Sequence, residues 1–538
     1  MPARKEQITL TGSLTCTAGI FLSGLAAFII LIFLHGDADY QAFVIPGVFF
    51  SLLYFFLQII CAGMPFSIFS VVQEYWKKRD YKAVFYIRRI MFILNVFFGI
   101  LNALVIGACG LFLTDIFMCS PEQEGTLFWC TLVSAAAVLI MHVLYGMRGF
   151  YQGIGRSRQD HISQCIESGS MGISILVMSI FFRPHETAGY SSFCVILLVL
   201  AAVSLLIALL YYIAYDRIQK DDVVQGMKMQ IIPTVSQKKV FQDIIRCGVA
   251  GAVNAALFFA VELSTVILFP YFTKKAASLE ILRGIGGLTD FFSEGVIHLF
   301  MIPAVVFANS CVLRIREAFA RKSDEVISNN MEEAINKYLY VILPVVFSSA
   351  ILSPQIIHIL GGNILVEEQA RLFVWTGISG LMFGLAMITH WFMNALEFVH
   401  EAGIYSAVAI VIKIAAMYLL AGRIGYEGVL ISSVIAYGII FFLDISKIRN
   451  YHSVSLAKTY LRLAKMMVAC MCMNGIFAIM KYAGWNALGE DTAVCLMQFA
   501  GMILAGTFIY LYVTNVMAVP KGIFHRNLRL FGRDVLKQ

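Results

Sequence analysis

Long apolar runs without a charged side chain constrain the fold of this chain more than any other feature. The first, from Ile8 to Leu34, contains no Asp, Glu, Lys or Arg. About 20 apolar residues suffice for a helix to cross a bilayer, and this run exceeds the ~7–15 apolar residues of a signal-peptide core. Of the 538 residues, 60% are hydrophobic and only 14% are charged. Soluble domains carry roughly 25% charged residues, so we expect lipid to cover much of the surface.

Apolar windows of this length predict about fourteen membrane spans. Because the bilayer core offers the backbone no hydrogen-bond partners, each span is expected to be a helix. The predicted fold class is therefore all-α: a polytopic membrane protein with two six-helix lobes and two further C-terminal helices. The approximate centres of the spans are Leu25, Phe56, Leu104, Ala137, Leu176, Leu200, Phe258, Phe300, Val345, Leu381, Ala409, Val434, Ala469 and Leu504.

The distribution of Lys and Arg predicts which way the spans run. Basic residues collect in alternate connections, within residues 77–89, 148–158, 314–322 and 521–537. By the positive-inside rule these connections face the cytoplasm. This predicts a multi-pass protein of the cytoplasmic membrane with both termini inside. Lys274, Lys275 and Arg283 are exceptions, because they fall together in an outward-facing connection.

Two pairs of segments suggest that the chain contains a duplication. The Gln-Gly pair at 152–153 recurs as Asn-Ala at 394–395, 242 residues later, and a similar charged segment follows the second and eighth spans. This predicts a parallel repeat, with substrate expected at the interface of the two repeats. The expected domains are a first lobe at 1–217, a cytoplasmic linker at 218–241, a second lobe at 242–450, and spans thirteen and fourteen with a basic tail at 451–538.

The sequence lacks the common signatures of membrane enzymes and ATP-driven pumps. It has no phosphate-binding Gly-x4-Gly-Lys-Ser/Thr loop and no His-Glu-x-x-His pair. The longest hydrophilic stretch, Arg217 to Gln242, is too short for a catalytic domain. Secondary transport remains the favoured function, without a catalytic site, metal, organic cofactor or nucleic-acid partner. A membrane-embedded enzyme or a scaffold of envelope-polysaccharide assembly is the alternative from another class.

Several short motifs resemble one family of transporters. Arg-Gly-Phe-Tyr-Gln-Gly at 148–153 and Ser-Gln-Cys-Ile-Glu at 163–167 resemble the signature of polysaccharide-biosynthesis flippases of the stage V sporulation protein B-like branch. Gly-Met-Pro at 63–65, Glu-Ala-Phe-Ala-Arg at 317–321 and the segment around Lys413 fit the same pattern. The resemblance implies membership of the multidrug/oligosaccharidyl-lipid/polysaccharide (MOP) exporter superfamily.

The resemblance also implies a function. The fourteen-span branch of the superfamily flips undecaprenyl-linked sugars across the bacterial cytoplasmic membrane by alternating access. Multidrug extruders usually have twelve spans, so the two extra spans favour a lipid-linked saccharide over an organic cation. The implied partners are this substrate, membrane lipids and enzymes of envelope-polysaccharide assembly. Lipid II flippases of the superfamily carry arginines in span one, whereas span one is uncharged here, which argues against lipid II as the substrate.

Charged and polar groups inside the spans are the candidate functional residues, because each costs at least ~2.5–3.5 kcal/mol to insert. We expect cations and an amide to bind the pyrophosphate of the substrate, and acids with an imidazole to couple transport to H⁺ or Na⁺. The stripe from Arg283 to His298 has an alternative interpretation as an outer loop followed by a structural Glu–His pair. The candidates for substrate binding are Arg283, Lys274, Lys275 and Asn254, and those for coupling are Glu262, Asp290, Glu294 and His298.

Glu167 in span five and Lys413 in span eleven occupy similar positions in the two repeats. We interpret them as inter-helix charges. A functional role and simple neutralisation of a neighbouring helix are both open for them.

Overall fold

The computed structural model describes residues 44–117, 121–181, 187–228, 235–273, 321–361, 366–452, 454–485 and 492–524, with some residues between 303 and 319. Every regular element in these ranges is a helix, as expected for a backbone that must satisfy its own hydrogen bonds in lipid. The all-α prediction is therefore confirmed.

The described helices fall into two compact units. The helices of the first unit are α1 Val44–Ala62, α2 Met64–Lys77, α3 Tyr81–Phe117, α4 Pro121–Gly153, α5 Ser157–Phe181, α6 Thr187–Lys228 and α7 Gln237–Thr273. Those of the second unit are α8 Asp324–Gly361, α9 Val366–Ala395, α10 Val399–Ile424, α11 Tyr426–His452, α12 Ala457–Tyr482, α13 Thr492–Val516 and α14 Val519–Phe524.

Eleven helical segments in the described ranges are long and apolar enough to cross a membrane. Each coincides with one of the predicted spans: the second to fourth, the sixth and seventh, and the ninth to fourteenth. The 25-residue α5 occupies the position of the fifth span. The first span and much of the eighth lie outside the described residues. The chain is therefore a multi-pass membrane protein.

Small residues allow α1 and α2 to lie directly against α7. The helix is interrupted between α1 and α2 at Gly63. Pro65 follows two residues later and cannot donate a backbone hydrogen bond. A Cβ atom at Gly251 would overlap the carbonyl oxygen of Ala62. Further along α2, the Ser67 hydroxyl donates a 2.6 Å hydrogen bond to the carbonyl oxygen of Ile244 in α7. Close approach of helix backbones at small residues is a common way for membrane helices to associate.

The packing of α7 bears on the domain boundaries expected from the repeat. The repeat begins a second lobe at residue 242, whereas α7 is packed into the first compact unit. The segment expected to be a linker, 218–241, is partly helical, because α6 continues to Lys228 and α7 begins at Gln237. Helix α7 therefore belongs to the first compact unit, and the repeat boundary stays a prediction.

Within the second unit, α12 and α13 pack against α8. These two helices correspond to the predicted spans thirteen and fourteen. The contacts are polar as well as apolar: the Asn474 side chain donates to the carbonyl oxygen of Phe347 at 2.9 Å, and Arg462 pairs with Glu332 at 2.7 Å. The two extra helices are therefore part of the second unit.

Candidate functional site

Two of the motifs that carry the family resemblance meet in the first unit, although about 80 residues separate them in sequence. The Gly149 backbone of α4 lies on the carbonyl of Pro65 at the start of α2, so a Cβ atom at position 149 would overlap it. One turn later, Gly153 lies against Val72 in the same way. The glycines of the motif therefore let α4 approach α2, and they fix the position of Arg148 beside them.

Arg148 is the centre of a buried ion cluster between α4 and α5. Its side chain is only 2% exposed. The guanidinium lies 2.8 Å from the Glu167 carboxylate and 3.4 Å from that of Asp160, and it donates to the Ser163 hydroxyl at 2.8 Å. The predicted inter-helix charge at Glu167 thus has its partner in the same unit.

The remaining motif residues complete this cluster through Asp160. The side-chain amides of Gln152 and Gln164 donate to the Asp160 carboxylate at 2.5 and 3.1 Å. The ring of Tyr145 lies 4.6 Å from the Arg148 guanidinium, within cation–π distance. Two carboxylates therefore share the Arg148 guanidinium. The two halves of the signature form one polar network that joins α4 to α5.

A second ion pair joins α3 to α6 in the same unit. Arg88 approaches both carboxylate oxygens of Asp216, at 3.2 and 2.6 Å, and the Tyr151 hydroxyl donates to the same carboxylate at 2.5 Å. Bidentate arginine–carboxylate pairs are among the strongest ionic contacts in proteins. Asp216 near the end of the sixth span is thus held by a permanent cation.

The second unit buries a different acidic centre. Asp444 of α11 is fully buried. It accepts a 3.3 Å hydrogen bond from the Thr389 hydroxyl of α9 and lies 3.9 Å from Nδ1 of His390, which is 3% exposed. Position 390 follows position 148 by the same 242 residues that relate Gln152 to Asn394. The acidic centres of the two units therefore lie next to corresponding positions of the fourth and tenth spans, which carry an arginine in the first unit and a histidine in the second.

Four of the predicted site residues lie in the described ranges, three in the first unit and one in the second. Asn254 and Glu262 are both on α7, the first buried and the second half-buried. Lys413 is fully buried on α10. Glu167 belongs to the Arg148 cluster. The proposed roles of Asn254 and Glu262 in binding and coupling stay predictions, as does a functional role for Lys413.

The other six predicted site residues lie outside the described residues: Lys274, Lys275, Arg283, Asp290, Glu294 and His298. No group of three His, Cys, Asp or Glu side chains that could hold a metal ion occurs among the described residues.

The sequence prediction missed Asp160, Asp216 and Asp444. Asp444 carried a signal, because it ends an uncharged run that begins at Gly428 and a carboxylate at that depth is costly. Asp160 lies three residues before the Ser-Gln half of the signature, so it could be mistaken for a residue of the cytoplasmic connection. Asp216 lies next to the expected linker and gave no comparable signal.

These features define a polytopic all-α membrane protein with buried ion pairs inside its helix units. Its fold is that of transporters of the MOP superfamily. An inward-facing multidrug resistance MATE family transporter of this superfamily matches with a TM-score of 0.63 at 14% identity, over 82% of this chain and 98% of the other. A MOP superfamily transporter from Pyrococcus furiosus also matches with a TM-score of 0.63 at 14% identity, over 82% of this chain and 94% of the other.

One sequence relative extends the comparison beyond the fold. Lipid II flippase MurJ of Bacillus subtilis (strain 168) is 19% identical over 503 residues, which cover 89% of this chain and 90% of the relative. No family model matches the chain. The similarity to MOP superfamily transporters that the short motifs suggest is thus confirmed, without support for the stage V sporulation protein B-like branch in particular.

Proposed function

We propose that this protein is a secondary transporter that moves a lipid-linked saccharide across the bacterial cytoplasmic membrane by alternating access. The observation that carries the proposal is the extent of the similarity to the lipid II flippase. That similarity covers 89% of this chain and 90% of the relative. Helices α12 and α13, which correspond to the two predicted spans beyond the usual twelve of multidrug extruders, also favour the lipid-linked branch.

The proposed substrate is an undecaprenyl-pyrophosphate saccharide or a related envelope precursor. Its headgroup carries negative charge, and the predicted binding residues Arg283, Lys274 and Lys275 supply cations on the outward side. Membrane lipids surround the helices, and both termini are proposed to lie in the cytoplasm. Enzymes of envelope-polysaccharide assembly are the proposed partners, and the chain itself is proposed to have no catalytic activity.

A fluorescent polyprenyl-pyrophosphate saccharide in proteoliposomes tests this proposal. The measured quantity is the fraction of headgroups protected from a membrane-impermeant quencher over time. We expect the full-length protein to change this fraction faster than protein-free vesicles do. Arg283→Glu should abolish the change, whereas Arg423→Glu, at an exposed arginine near the end of α10, should preserve it.

A multidrug or organic-cation antiporter is the second candidate, favoured by the TM-score of 0.63 with a MATE transporter. Uptake of an organic cation such as ethidium into the same vesicles under a pH gradient would support it. Cation uptake without movement of the lipid headgroup would overturn the flippase proposal in favour of this candidate.

A further inference from the structure

The two units place different basic side chains next to their buried or half-buried acids. In the first unit Arg88 binds Asp216, and Arg148 binds Asp160 and Glu167. Arginine stays protonated at any physiological pH. In the second unit the described polar partners of Asp444 are the Thr389 hydroxyl and the His390 ring. A histidine can gain or lose its proton between about pH 5 and 8.

Burial makes a net charge on the Asp444 and His390 side chains costly. Asp444 is 0% exposed and His390 is 3% exposed, so water does not compensate a charge on either side chain. A buried carboxylate is strongly unfavourable unless it is protonated or paired with a cation. The pair is neutral overall only when it holds one proton, either on the carboxyl group or as an imidazolium facing a carboxylate.

Other ionisable groups on the helices packed against α11 have partners of their own. Glu401 of α10 is bonded at 2.9 Å to Lys447, one turn beyond Asp444 on α11. Lys413 is buried on α10 with further interactions. On α8, the Tyr338 hydroxyl donates to the carbonyl oxygens of Gly380 and Leu381 in α9. Among the described contacts, the His390 ring is the ionisable group placed next to the Asp444 carboxylate, with Nδ1 at 3.9 Å.

We propose that Asp444 and His390 form the proton-binding site that couples transport to a proton gradient. The pair takes up one proton from water and passes from a net charge of −1 to neutrality. The neutral state is compatible with the dry packing of α9 on α11, and loss of the proton favours an arrangement in which water reaches the carboxylate. This inference rests on the proposed transport function, and it differs from the coupling residues predicted from the sequence.

Infrared titration of the full-length protein in lipid vesicles tests the site without any substrate. The carboxylic-acid carbonyl band and the imidazole ring bands report the protonation state of the pair. We expect the wild type to show a pH-dependent component that is lost in Asp444→Asn and shifted to more alkaline pH in His390→Gln. Glu401→Gln removes an acid from the same unit and should leave the component unchanged. An unchanged component in Asp444→Asn would overturn the site.

A second measurement separates this site from the proposed substrate. In proteoliposomes, an inward or outward pH gradient should alter the rate of headgroup movement by the wild type and by Glu401→Gln. Asp444→Asn should lose that dependence, and its monodispersity on size-exclusion chromatography shows whether it is folded. Headgroup movement with an unaltered pH-gradient dependence in Asp444→Asn would overturn the site and leave the transport function standing. A titrating pair in a protein that moves no lipid-linked saccharide would instead overturn the substrate.

Discussion

The Tyr510 hydroxyl of α13 donates a 2.8 Å hydrogen bond to the carbonyl oxygen of Tyr340 in α8. This carbonyl lies four residues before Pro344, inside the helix. Proline has no N–H group, so the carbonyl four residues earlier loses its helical partner. Tyr510 supplies the missing donor from another helix. The predicted fourteenth span is thus tied to the ninth at the point where the ninth cannot satisfy its own backbone.

Removal of this donor should weaken the second unit. Tyr510→Phe keeps the ring and leaves the Tyr340 carbonyl buried without its donor. The cost of an unsatisfied buried acceptor is about 1–3 kcal/mol, and we expect a lower thermal unfolding temperature in detergent. Tyr512→Phe is the matched control, because the Tyr512 ring stacks on Phe508 and its side chain is 45% exposed. Equal unfolding temperatures of the two variants would contradict the role of Tyr510.

Lys481 ties α12 to α8 near the second internal proline of α8. Its ammonium group donates to the carbonyl oxygen of Ile351, three residues before Pro354. We expect Lys481→Met to destabilise the protein by about 1.5–3 kcal/mol, the usual contribution of a hydrogen bond made by a charged group. Lys458→Met, at an exposed lysine of the same helix, should have little effect. Differential scanning fluorimetry of the two purified variants measures the difference, and a Lys481→Met variant as stable as Lys458→Met would show that this bond does not stabilise the contact between α12 and α8.

Most of the fold could be predicted from the apolar runs, because a membrane helix is determined by length and hydrophobicity within one segment. The eleven segments described as apolar spans all correspond to predicted ones. The packing of α7 could not be predicted in this way. It depends on Gly251 meeting Ala62 across two helices, and a hydropathy window treats a glycine in a contact like any other glycine.

The polar centres were predictable only in part. Glu167 was interpreted as an inter-helix charge because it occupies a position in its repeat similar to that of Lys413 in the other, and its partner Arg148 lies in the same signature. Asp160 and Asp444 became significant only once the fold brought them to Arg148 and His390. A sequence gives the cost of burying a charge, but the identity of the compensating cation depends on which helices pack together.

The contact between the two motifs predicts a sensitive glycine. Gly149→Ala should force α4 away from the carbonyl of Pro65, because the added methyl group would overlap it. Overpacking of this kind typically costs 1–3 kcal/mol. Gly169→Ala, on α5, is the matched control, since its added methyl group meets no atom within 4 Å. We expect Gly149→Ala to unfold at a lower temperature than Gly169→Ala, and the reverse order would refute close packing of the motifs.

The Arg148 cluster predicts that loss of Arg148 destabilises the protein strongly and that a second substitution partly restores its stability. Arg148→Met leaves the buried Asp160 and the half-buried Glu167 without their shared cation. Removal of one partner from a buried ion pair costs about 3–5 kcal/mol. Glu167→Gln in the same chain removes one of the two uncompensated charges, so the double variant should be more stable than Arg148→Met alone. A double-mutant cycle on unfolding in urea or by heat measures this coupling, because residues in one network do not contribute additively. If the two losses add without coupling, Arg148 and Glu167 do not stabilise each other in the membrane.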